Sequence, residues 1–209
     1  MNNEKFVSEE QLDFLREMMN IGGGNAATAL SQMLQQEVNL MIPAVHVVAT
    51  TEVPPILDDP SLPVTCVRMD MVGDTTGSLF FIVPAEHKAK LIHLAQQATP
   101  GPKDTGIAAG RSIITEIGNI VAGVYMGAIH DFCKLNIYHT LPVLKIDMIQ
   151  SLLDGSIAEM TQQVQIAFMI ENVFVVEEHR LRTFFLILPS ATSVKTLVDS
   201  MGQARMLLA

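Results

Sequence analysis

From Glu9 to Gln36 apolar residues return every three or four positions, and Leu12, Leu15, Met18, Met19, Ala26 and Leu30 gather on one side of a helical wheel. That period predicts a long amphipathic helix. It then gives way to short β-rich segments, VNLMIPAVHVV (38–48) and VTCVRMDMV (64–72), separated by the proline- and aspartate-rich loop TTEVPPILDDPSLP. GSLFFIVP (77–84) predicts a strongly apolar strand, and AEHKAKLIHLAQQA (85–98) a second amphipathic helix. TPGPKDTG (99–106) is the clearest linker in the chain.

After the linker the order restarts. A helix is predicted over 108–131, β-like segments at 134–146, 158–172 and 183–189, and a final helix from Ala191 to about Met206. The match is also residue by residue. Adding 99 takes Glu17 to Glu116, Asn20 to Asn119, Gly24 to Gly123 and Pro43 to Pro142, and the offset reaches 105 between Pro84 and Pro189. The chain thus reads as a duplication with about six extra residues in the second half. Each half alone has few strands and an open sheet edge. The expectation is one α+β domain over 1–209 with a pseudo-two-fold repeat, its halves covering about 6–100 and 106–209.

The first helix contains an oddity, NIGGG (20–24), where four weak helix formers stand together. On a wheel at about 100° per residue, Asp13, Glu17, Asn20 and Gly24 fall within roughly 60° of one another, opposite the apolar side. Ser112, Glu116, Asn119 and Gly123 align the same way, opposite Ile113, Ile114, Ile117, Val121 and Ile129. A wet helix face is the plain reading of either stripe. Wet faces usually collect Lys, Glu, Gln and Arg, however, and here Asn stands at one equivalent position twice, with Glu a turn before and Gly a turn after. Agreement between surface positions of duplicated halves argues for use. Gly24 and Gly123, lacking side chains, let another protein's backbone approach; Gly22 and Gly23 point partly inward, toward close packing.

Composition narrows the classes. The 209 residues are 49% apolar and 17% charged, with mean hydropathy +0.33, enough to build a substantial core. A net charge of −9 without runs of Lys and Arg argues against nucleic acid. Cys66 and Cys133 lack metal or redox spacing and are expected as buried thiols, and the six histidines form no metal motif. The polar start MNNEKFVSEE and the lack of an 18-residue apolar run predict no signal peptide, no membrane insertion and a cytoplasmic location. Internal duplication removes the need for a dimer, so a monomer is expected.

The spacing Asp or Ser, three residues, Glu, two residues, Asn, twenty-two residues, Pro is met by Asp13, Glu17, Asn20 and Pro43, and again by Ser112, Glu116, Asn119 and Pro142. This resembles the CheC family of chemotaxis phosphatases, grouped with CheX and FliY. NIGGGNAATALS (20–31) is close to that family's wording after its first Asn. The resemblance covers nearly the whole chain. It implies an antiparallel sheet shared by both halves, with the two long motif helices on its outer face. It also implies hydrolysis of the aspartyl phosphate on the response regulator CheY, and it admits the deamidase CheD as a partner. Asn20 and Asn119 would orient the attacking water, and Glu17 and Glu116 would each pair with the regulator's active-site Lys. Asp13 and Ser112 would add a partner contact or support the Glu. No cofactor is expected in this chain, Mg²⁺ being expected in the phosphorylated partner. One departure is Met19, where the second copy has Gly118; a bulky neighbour beside Asn20 predicts that Asn119 carries more activity.

Two rival readings stand beside this one. One is a non-catalytic adaptor that grips phosphorylated CheY or CheD without turnover. The other is a two-carboxylate hydrolase using Glu17 and Glu116, which needs both carboxyls across one cleft and is disfavoured by their places on separate helices.

Overall fold

The computed structural model describes residues 6–57, 63–98, 106–159 and 166–208. Helix α1 (Glu9–Leu34) begins at a capping box, where the Gln11 backbone N–H donates to Ser8 Oγ at 3.2 Å and the Ser8 N–H donates to Gln11 Oε1 at 2.9 Å. It ends at Gln35 in the left-handed region (φ 49°). Its counterpart α4 (Ile107–Cys133) ends at the equivalent Lys134 (φ 56°). The duplication therefore reaches the helix caps.

Among the described residues, five of the seven strands are β1 (Val38–Ala49), β2 (Pro63–Gly73), β3 (Gly77–Val83), β6 (Ile166–Val176) and β7 (His179–Pro189). The other two, β4 (Ile137–His139) and β5 (Val143–Met148), occupy the place of β1 in the second half. All pairings among the described residues are antiparallel, in the order β1-β6-β7-β3-β2-β4, with β5 also on β2. The centre is the β3–β7 pair, one strand from each half. The outer strands are exchanged: β1 pairs β6 of the other half, and β4 and β5 pair β2.

Pro43 and Pro142 mark the same irregularity in each half. Proline has no N–H for a ladder and is confined to edges and bulges. On β1 the register slips between Met41 and Ala44. In the second half the strand breaks outright into β4 and β5 around Thr140–Pro142.

Apolar side chains cover both sheet faces, which explains the unbroken runs LFFIV and FFLIL. On one face, Met18, Met19, Leu30, Ile114, Ile117 and Val121 pack with Val67, Leu79, Phe81, Ile170 and Phe185. Helices α3 (Ala85–Ala98) and α6 (Ala191–Leu208) flank them there. On the other face the short α2 (Val53–Ile56) and α5 (Ile149–Glu159) cover Cys66, Phe80, Ile82, Met169 and Phe184. Helix α4 is long and apolar enough to cross a membrane by length and composition alone, yet it packs here against α1 and the sheet.

Several local expectations are corrected. The proline-rich loop holds a 3-10 turn (Thr50–Glu52) and α2, and its residues 58–62 lie outside the described set. The segment 158–172 is not a single strand: 158–159 close helix α5, which buries Ile149, Leu152, Leu153 and Ser156 at helical spacing, and β6 starts at Ile166. Residues 160–165 and linker positions 99–105 also lie outside the described set, while Gly106 is the N-cap of α4. Strand β7 starts four residues earlier than expected, at His179.

Candidate functional site on two antiparallel helices

The three glycines of α1 face three different neighbours. A Cβ at Gly22 would lie 3.1 Å from Tyr125 Cδ1 and 3.3 Å from Ala128 Cβ, so this glycine sets the crossing of α1 on α4. A Cβ at Gly23 would lie 2.9 Å from Ile42 Cδ1, so Gly23 receives the edge strand. A Cβ at Gly24 would meet nothing within 4 Å. Only Gly24 points outward. The same crossing brings Phe14 edge-on to Phe132 at 6.2 Å, which makes the two helices antiparallel.

Behind the crossing lies a buried polar pair. Tyr125 Oη donates to Asn172 Oδ1 at 2.5 Å, and both residues are fully buried. Burial pushes the phenol pKa well up, so the hydroxyl remains a donor. Burial also pushes the Cys133 thiol up to about 11 and Cys66 higher still, which leaves both chemically quiet.

The predicted residues fall into two separate stripes on one outer surface. Asp13, Glu17, Asn20 and Gly24 are exposed on α1. Ser112, Glu116 and Gly123 are exposed on α4, and Asn119 is half-buried. Among the described residues, Glu17, Asn20, Glu116 and Asn119 make no side-chain hydrogen bond or ion pair, so their polar atoms are open to a visitor. Asp13 is engaged: Arg16 Nη1 donates to its Oδ1 at 2.9 Å, a solvent-exposed pair of little energetic weight. The second stripe has no such pair. Thr115 stands where the first has Arg16, and its hydroxyl bonds the Arg111 carbonyl at 2.8 Å.

The steric ground for ranking the sites fails. Met19 is fully buried and directed at the core, about 100° around the helix from Asn20, so its bulk does not crowd the amide. Gly118 has a different explanation: a Cβ there would stand 2.9 Å from Val67 Cβ, so α4 lies closer on the sheet than a larger residue permits.

One neighbour of the second stripe is not legible in the sequence. His139 Nε2 lies 3.5 Å from the position a Cβ on Gly123 would take. Its counterpart in the first half is Leu40, whose Cδ2 sits 3.7 Å from a Cβ built on Gly23. Aligning the halves finds the substitution, but only the fold places it beside the stripe.

Comparison with known proteins gives a consistent picture. The model of the CheC-like family matches residues 10–47 and 110–146, which run in each half from the motif helix into its first strand or strand pair. The chain is 30% identical over 200 residues to the CheY-P phosphatase CheC of Bacillus subtilis, covering 94% of this chain and 96% of that protein. The fold is shared with Thermotoga maritima FliY (TM-score 0.74, 17% identity, 95% and 98% of the two chains). It is shared also with the FliM middle domain of Helicobacter pylori (TM-score 0.64, 13% identity, 93% and 99%). With a motif helix in each half and a relative matched along almost its entire length, this chain belongs to the CheC-like family.

Proposed function

We propose that the protein hydrolyses the aspartyl phosphate of a CheY-like response regulator, using each stripe as a docking and catalytic edge. An acyl phosphate is intrinsically reactive, and the regulator brings its own Mg²⁺ and Lys. The missing element is a water held in line with phosphorus, and positioning is the main demand of phosphoryl transfer. A carboxamide meets that demand, because its oxygen accepts from water, its NH₂ donates, and it carries no charge. Asn20 and Asn119 orient the water. Glu17 and Glu116, one turn earlier, pair with the regulator's Lys. The helix holds each Glu and Asn in constant relation, and Gly24 and Gly123 leave room for the partner's backbone.

The observation that carries this reading is the repeated Glu–Asn pair without internal partners on two solvent-facing helices. Relationship to a protein named a CheY-P phosphatase supports it. The test is phosphate release from the phosphorylated regulator. The Asn20→Ala, Asn119→Ala double variant should lose on the order of 10² or more of the accelerated rate while keeping its melting temperature, as is usual when a positioning group is lost. Full activity in that variant refutes the assignment. Binding of the phosphorylated regulator without any turnover by the unmodified protein would favour the adaptor reading instead.

A further inference from the structure

The two stripes share their Glu, Asn and Gly, but their rims differ. Three substitutions between the halves fall at the contact of each motif helix with its edge strand. Gly23 is replaced by Ala122, Leu40 by His139, and Ile42 by Leu141. In the first half, Leu40 and Ile42 lie against the space left open by Gly23. In the second, Ala122 carries a methyl at that place, and Leu141 is 87% exposed instead of tucked in. His139 faces the end of the stripe.

The imidazole is held rather than loose. Its Nδ1 lies 3.0 Å from the Thr140 carbonyl oxygen, and Thr140 is itself tied to β2, accepting through Oγ1 from the Asp70 N–H at 2.9 Å. With Nδ1–H donating to that carbonyl, the neutral ring presents an acceptor lone pair at Nε2. That atom lies over Gly123, one helical turn beyond Asn119. A side chain could be housed there, since 3.5 Å is an ordinary contact, so glycine is not demanded by the imidazole. Its effect is to leave Nε2 uncovered on the very surface where a partner would rest. A Cβ on Gly24 in the first stripe would meet no such neighbour within 4 Å.

We infer that His139 is a specificity-determining contact of the second site, accepting through Nε2 a hydrogen bond from the docked, phosphorylated response regulator. This inference rests on the phosphatase reading. It makes the two sites unequal in recognition while their chemical groups remain the same. His139 touches the partner's surface beside the phosphoaspartate and takes no part in water activation, so its loss should appear in KM and not in kcat.

The experiment isolates each site. Asn20→Ala leaves the second site, and Asn119→Ala leaves the first. In the Asn20→Ala background, His139→Leu, which installs the first half's residue, should raise KM for the phosphorylated regulator about fivefold with kcat unchanged. His139→Gln, which keeps an acceptor, should recover much of that loss. In the Asn119→Ala background, where only the first site turns over, His139→Leu should leave KM and kcat unchanged. Affinity for a beryllofluoride-loaded regulator, which needs no turnover, should fall at one of the two binding sites and hold at the other, whichever Asn is replaced. An unmoved KM in the Asn20→Ala background together with two unmoved binding affinities overturns the inference, as does an equal change of KM in both backgrounds. If the double Asn variant keeps full activity, the phosphatase assignment of the stripes fails instead, and the affinity measurement still decides whether His139 touches the regulator.

Discussion

Alanine substituted in turn at Gly22, Gly23 and Gly24 should give three different proteins. Each change removes a glycine from a helix interior, a gain of about 1 kcal/mol. At Gly24 nothing opposes it, because beyond its chain neighbours and the helix's own backbone the new Cβ meets no atom within 4 Å. For a chain of 209 residues that gain raises the melting temperature by about 2–4 °C. At Gly23 the nearest atom, at 2.9 Å, is the terminal methyl of Ile42, which rotates away at small cost, so the net effect is a smaller gain. At Gly22 the new methyl meets Tyr125 Cδ1 at 3.1 Å and Ala128 Cβ at 3.3 Å. The ring cannot swing freely because its hydroxyl is held by Asn172 at 2.5 Å. Overpacking of this kind costs about 1–3 kcal/mol, so the net is between zero and about 2 kcal/mol of destabilisation. Thermal unfolding should therefore order the variants Gly24→Ala above Gly23→Ala above Gly22→Ala. Phosphate release, read in the Asn119→Ala background so that only the first site reports, should run against that order at one point. Gly24→Ala, the most stable, should be impaired because its methyl stands where the partner approaches. A stabilised Gly24→Ala variant with undiminished turnover would show that this glycine serves no docking purpose, and a Gly22→Ala variant as stable as it would refute the packing argument.

Three further outcomes follow from the fold. Tyr125→Phe removes the donor to a fully buried acceptor and should destabilise the protein by about 1–3 kcal/mol in chemical denaturation; a neutral result would mean that Asn172 finds another partner. His46 is held below its ordinary pKa of 6.5, mainly by burial, with Glu171 opposing and Arg16 and Arg182 adding to the effect. The unfolded chain then takes up the proton first, so its contribution to stability is complete above about pH 6.5 and is lost as pH falls from there toward the lower folded value. His46→Gln should flatten the fall in melting temperature over that range, and an unchanged slope would exclude the histidine as its source. Finally, residues 1–98 expressed alone should lack a cooperative unfolding transition, because β1 has no β6 to pair with, and adding 106–209 should restore one; a sharp transition in the fragment alone would contradict the exchanged topology.

The duplication is legible because it is written in local terms: helical period, apolar runs and matched prolines. The outward stripe is legible for the same reason, since a wheel needs only the pitch of a helix. Strand exchange is not, because which strand lies beside β1 depends on contacts more than a hundred residues away. Helix α5 escapes a reading of the sequence because a short amphipathic segment, interrupted by Gly155, runs into residues of strand character. The error over Met19 has a simple origin. Sequence neighbours on a helix lie about 100° apart, so adjacency to Asn20 places a side chain elsewhere, not alongside. His139 can be paired with Leu40 by counting, yet its nearness to Gly123 exists only once β4 is laid against α4.

The crossed arrangement of the outer strands has a bearing on how such a protein changes over time. Neither half can be deleted, or lent to another chain, without stripping an edge from what remains, so both stripes must be inherited together. Side chains at their rims are under no such bond. Each can be retuned singly, and one scaffold can thereby come to greet the same visitor in two dialects.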